Sequence, residues 1–107
     1  MSDADDAPRF EIELRPAALR AIAEQLPLFV ADAVLTFLEV ALAQNPRRVG
    51  KELREPFDGV MSARRSTWRV LYRIHDGRHT GKCPGEHRCL GTVSVESIRH
   101  RSDAYRI

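Results

Sequence analysis

"SARRSTWRVLYRI", Ser62 to Ile74, decides how this chain folds. From Trp68 onward, Trp68, Val70, Tyr72 and Ile74 share one parity while Arg69, Leu71 and Arg73 share the other. A period of two marks a β-strand with one covered face. Arg64 and Arg65 end a preceding strand of about Gly59 to Arg65, and the short link Ser66-Thr67 makes the two strands antiparallel neighbours. Solubility alone could be met by any polar side chain. Repeated arginine supplies planar guanidinium forks that grip phosphate, so the face is either simply solvated or meets a polyanion.

Outward from this pair, "RFEIEL" (Arg9 to Leu14) alternates Phe10, Ile12 and Leu14 against charged residues and reads as a strand. Pro16 opens a short helix in which Leu19, Ile22, Ala23 and Leu26 recur at helical spacing. Pro27 separates it from a longer helix reaching about Ala43, whose Val30, Val34, Phe37, Leu38 and Ala41 form a sheet-facing stripe. A loop follows, with a helical turn expected between Val49 and Glu55. After the two central strands comes a last one, Thr92 to Ile98, and a basic terminus. The order is strand, helix, helix, strand, strand, strand. It predicts an α+β fold: a small antiparallel sheet with two N-terminal helices packed on one face and the other face open. Arg69 and Arg73 then stand on the open face, where Arg99, Arg101 and Arg106 can approach; only one of Arg64 and Arg65 can point the same way.

With 107 residues and 43% apolar composition, the chain forms one domain, residues 1–107, with residues 1–8 expected as a flexible N-terminus and residues 76–91 as an extended hairpin loop. Asp32 and Glu39 interrupt the longest apolar run, and the acidic start "MSDADDA" is unlike a signal peptide, so a cytoplasmic chain with no membrane contact is expected. Charge is unevenly divided. Residues 1–46 carry three arginines against eight acids, net −5, and residues 47–107 carry twelve arginines and two lysines against seven acids, net +7. The basic part suits nucleic acid or an acidic protein equally. The outer side of the long helix is apolar too, with Phe29, Ala33, Thr36, Val40 and Ala43, more than so small a domain covers by itself. It is packed in part by the first helix or meets a protein partner.

"DGRHTGKCPGEHRCLG" (Asp76 to Gly91) holds Cys83 and Cys89 near His75, His79 and His87. The C-x5-C spacing is not a standard zinc signature, and the cysteines read as free thiols, with zinc or an intraloop disulfide as alternatives. The chain has no Gly-rich phosphate loop, no H-E-x-x-H and no nucleophile elbow. No metal is assigned.

The runs "NPRRVGKELREPFDGVMSARRSTWRVLYRIHDG" and "VESIRHRSDAYR", behind a two-helix segment, resemble the RelE-type toxins of bacterial toxin–antitoxin systems, in the RelE/ParE superfamily. The likeness runs from about Arg9 to Arg106. It implies a small α+β protein that enters the ribosomal A site and cuts messenger RNA by attack of the 2′-oxygen, without metal or cofactor. It also implies a cognate antitoxin that wraps the toxin and through which alone operator DNA is bound. Matched to the family's motifs, Arg69 and Arg99 stabilise charge on the phosphate, and Tyr105 stacks on a base or joins proton transfer. Trp68 and Tyr72 read as core residues. RNA and ribosome contacts are expected from Lys51, Arg64, Arg65, Arg73, Arg101 and Arg106, and antitoxin contacts from Phe29, Ala33 and Val40. The two strand lysines of the type member fall here on Val60 and Ser62, leaving Lys51, in the preceding loop, as the nearby lysine. That departure keeps two other readings open: a ParE-like inhibitor of DNA gyrase, or an inactive antitoxin-binding relative.

Overall fold

The computed structural model describes residues 8–54, 56, 58–65, 67–77 and 89–100. Its elements are β1 (Arg9–Leu14), α1 (Pro16–Arg20), α2 (Leu28–Phe37), β2 (Lys51–Glu52), β3 (Met61–Arg65), β4 (Trp68–Asp76) and β5 (Cys89–His100). Each helix runs on into a π-helical turn, Ala21–Gln25 after α1 and Leu38–Leu42 after α2. The five strands form one sheet in the order β1-β5-β4-β3-β2.

The α+β class and the two helices on one face are as read from the sequence. The sheet itself is mixed: β2 to β5 form an antiparallel meander, and β1 joins its far edge parallel to β5. Parallel neighbours need a long crossover, which the helical segment between β1 and β2 supplies. In place of the expected helical turn at Val49 to Glu55, Lys51 and Glu52 form an edge strand opposite Ser62 and Met61, and Leu53 N–H donates to the Val60 carbonyl at 2.9 Å. The β4–β5 hairpin also closes further out than the expected loop of residues 76–91. Asp76 pairs with Gly91, and Gly77 N–H donates to the Leu90 carbonyl at 2.8 Å, so residues 89–91 belong to a strand. Residues 1–7 and 78–88 lie outside the described residues.

Phe10, Val30, Val34, Phe37, Leu38, Leu42, Ala63, Trp68, Val70, Tyr72, Val93, Val95 and Ile98 are among the buried core residues. Phe37 meets Trp68 edge-to-face, centroids 5.4 Å apart, a contact worth about 0.5–1.5 kcal/mol beyond its buried area. On α1 and its π-helical extension the buried stripe is Ala18 and Ala21, with Ile22 and Leu26 half-buried, while Leu19 and Ala23 are exposed. Alanines let the backbone approach the sheet, so the large Leu19 turns outward.

A bulge in β5 decides which residues share a face. Leu71 pairs with Ser97 but Tyr72 pairs with Val95, leaving Glu96 as the extra residue. Parity therefore reverses along β5. Val93 and Val95 before the bulge and Ile98 after it all enter the core, and Thr92, Ser94, Ser97 and Arg99 are left to the opposite face. Without that extra residue Arg99 would point at the helices.

Candidate nucleic-acid interface

The face away from the helices is organised in rows across the strands. In the first, Arg64 of β3 lies opposite Arg69 of β4, which lies opposite Arg99 of β5. Arg64 and Arg99 are exposed and Arg69 is half-buried. With strands about 4.8 Å apart, three guanidinium groups arise within a width of roughly 10 Å. Like charges directly opposite one another destabilise a sheet. Among the described residues none of the three has an ion-pair partner. Three guanidinium forks side by side are chemically able to hold an anion such as phosphate.

Two residues along the strands, Lys51 pairs with Ser62, Ser62 with Leu71, and Leu71 with Ser97. This row carries one cation at its edge, two hydroxyls and a half-buried apolar floor. Further on, Arg73 pairs with Ser94 and Ser94 with Glu13; the Ser94 hydroxyl donates to Glu13 Oε1 at 3.3 Å and lies 3.1 Å from His75 Nε2. Thr92 donates to Glu11 Oε1 at 2.7 Å. On the β1 side two carboxylates are held by hydroxyls, with Arg9 on the same strand, and β3 and β4 carry Arg64, Arg69 and Arg73.

Parity separates Arg64 from Arg65. Arg65 is opposite Trp68 on the helix side, where its guanidinium carbon sits 4.8 Å from the Phe37 ring centroid and its NH1 donates to the Arg64 carbonyl at 2.8 Å. Arg73 is exposed at the far end, with NH1 3.4 Å from the Asp58 carbonyl. Tyr105, Arg101 and Arg106 lie outside the described residues, as do Cys83, His79 and His87. Cys89, read as a free thiol, is disulfide-bonded. Among the described residues no group of three or more His, Cys, Asp or Glu could hold a metal ion, and no helix is long and apolar enough to cross a membrane.

The loop before β2 is tied to the sheet. The buried Tyr72 hydroxyl donates to the Pro46 carbonyl, and burial pushes its phenol up to about 12, with nearby Arg65 pulling the other way. Arg47 grips both carboxylate oxygens of Asp76, at 3.1 and 2.5 Å; this hydrogen bonding lowers the pKa of Asp76 and raises that of Arg47. A Cβ at Gly50 would collide with the Tyr72 hydroxyl and come within 2.9 Å of the Ser62 carbonyl, so the chain passes here only as glycine. These ties, and the hydroxyl–carboxylate pairs of β1 and β5, join residues far apart in sequence, and the Thr92/Ser94 alternation is the one local trace of the pairs.

On the helix side, Phe29 is 77% exposed, Leu28 81% and Val40 52%, and Ala33 is exposed between them. Phe29, Ala33 and Val40 form an outer apolar stripe. Ala43, by contrast, is buried.

No family model matches the chain. It is 35% identical over 103 residues to Toxin RelE of Mycobacterium tuberculosis, an alignment covering 96% of this chain and 92% of that protein. It is 42% identical over 82 residues to Toxin RelG of the same organism, covering 77% and 80%. Its fold matches a chain in the crystal structure of the M. tuberculosis toxin–antitoxin complex RelBE2 with a TM-score of 0.72 and 33% identity, over 87% of this chain and 99% of that one. With an arginine row on an open sheet face and this likeness along nearly its whole length, the chain belongs to the RelE-type toxins of bacterial toxin–antitoxin systems.

Proposed function

We propose that this toxin is a metal-independent endoribonuclease that cuts messenger RNA in the ribosomal A site and is silenced by a cognate antitoxin. The observation that carries the reading is the row Arg64–Arg69–Arg99, three cations abreast with no ion-pair partner among the described residues. In the reaction the ribose 2′-oxygen loses its proton and bonds to the adjacent phosphorus, the P–O5′ bond breaks, and the leaving oxygen gains a proton. The products are a 2′,3′-cyclic phosphate and a 5′-hydroxyl. Arg69 and Arg99 take up the charge growing on the non-bridging oxygens, a task for which arginine's fixed donors and permanent charge are suited. Arg64 and Arg73 hold neighbouring phosphates, with Arg101 and Arg106 extending the contact and Tyr105 stacking on a base. Arg65, turned towards Phe37, is left a supporting place. The antitoxin lays an apolar helix on Phe29, Ala33 and Val40 and an acidic segment on the arginine face, and it alone contacts operator DNA. The toxin acts in the cytoplasm, where ribosomes are.

Purified toxin added to ribosomes programmed with a defined message tests this. Cleavage within the A-site codon, with a 5′-hydroxyl on the downstream fragment, is the expected result. Intact message with inhibition of DNA gyrase would replace it with the ParE-like reading.

A further inference from the structure

We propose that Lys51 is a further catalytic residue, whose ammonium reaches the phosphate held by Arg69 and Arg99 and takes up charge on its non-bridging oxygens as the P–O5′ bond breaks. The inference rests on the ribonuclease reading above. Its structural basis is the register of the edge strand: Lys51 lies directly opposite Ser62, and Ser62 shares the parity of Arg64, not that of buried Ala63. Residues opposite one another in an antiparallel ladder project to the same face, so Lys51 stands on the arginine side, exposed and, among the described residues, without an ion pair.

The reach is sufficient. Two strand spacings and a two-residue offset put the Cα atoms of Lys51 and Arg69 about 12 Å apart. Extended lysine and arginine side chains reach about 6 and 7 Å from their Cα atoms, so both can meet on one phosphate above Ser62 and Arg64. Leu71, on the same row, offers an apolar floor to the ribose or base beside that phosphate.

Position is held as well as allowed. The segment leading into Lys51 is fixed by the Tyr72–Pro46 hydrogen bond, the Arg47–Asp76 ion pair and the close passage of Gly50. A lysine needed only for solubility requires no such ties. Preorganised charge at a reacting phosphate does, because it then costs no rearrangement at the moment of reaction.

The test measures single-turnover cleavage on saturating programmed ribosomes. Lys51→Ala is expected to cut about 100- to 1,000-fold more slowly, the size of the loss of one preorganised donor, and to keep the parent's urea-unfolding midpoint. Adding Ser62→Lys to Lys51→Ala returns an ammonium to the same row from the neighbouring strand and is expected to recover most of the lost rate. Parent-like cleavage by Lys51→Ala overturns the proposal, as does a folded double variant no faster than Lys51→Ala. A parent protein that cuts no message fails instead at the ribonuclease reading.

Discussion

Arg69 and Arg99 stand directly opposite one another across the β4–β5 ladder, and Arg64 flanks Arg69 on the other side. A sheet built for stability alone would place an acid or a neutral residue at one of these positions. The arrangement predicts that stability and activity part company here. Arg69→Ala or Arg99→Ala should leave the fold intact or raise its stability by about 0.2–1 kcal/mol, the size of a cross-strand pair term. The same changes should lower cleavage about 10- to 1,000-fold. Urea denaturation and single-turnover cleavage on the same preparations check both halves.

Tyr72 predicts the alkaline behaviour. Its phenol, raised by burial to about 12 against about 10 in an unfolded chain, stays protonated in the native state where the unfolded state has already lost the proton. The folded form binds more protons between those values, so stability is fully present below pH about 10 and falls as pH rises towards about 12, by about 2–3 kcal/mol in all. Tyr72→Phe should flatten that slope while costing about 1–3 kcal/mol near neutral pH, because the Pro46 carbonyl loses its donor. Urea melts from pH 8 to 12 measure both.

Gly50→Ala should destabilise the fold by about 1–3 kcal/mol, since its Cβ would displace the Tyr72 hydroxyl or the β3 backbone at Ser62. Thermal unfolding checks this, and Gly77→Ala is a useful contrast: its Cβ meets nothing within 4 Å, and its cost comes from a φ of +74° instead.

Val40→Asp and Phe29→Asp change exposed positions and should leave the isolated toxin folded. If the antitoxin helix covers this stripe, each should weaken binding by about 2–4 kcal/mol through the desolvated charge. Isothermal titration with the cognate antitoxin reads the loss; unchanged affinity would move the docking surface elsewhere.

How much of this was legible in the sequence follows from how local each signal is. Alternation in Trp68–Ile74 and in Arg9–Leu14 reveals faces because parity within one strand is a local property. It therefore placed Trp68, Val70 and Tyr72 in the core and Arg69 on the open side, as observed. The parallel pairing of β1 depends on which edge a distant strand joins, and nothing in "RFEIEL" encodes that. The sequence places Lys51 in a loop because two residues carry no period; its strand exists through Gly50 and the ladder to β3, both tertiary. Arg99 reaches the open face only through the bulge at Glu96, whose trace is the broken alternation of Val93, Val95 and Ile98. Leu19 turned outward because helical spacing marks an apolar side but not how close the backbone comes.

Ribosome profiling during brief expression asks whether the arginine face, without an ion pair among the described residues, acts on translating messages. Sharp breaks inside A-site codons across many messages are the expected result, absent when Arg69 and Arg99 are both replaced by alanine in a variant that remains folded. Intact messages accompanied by DNA damage, or breaks that persist in the double variant, would contradict it.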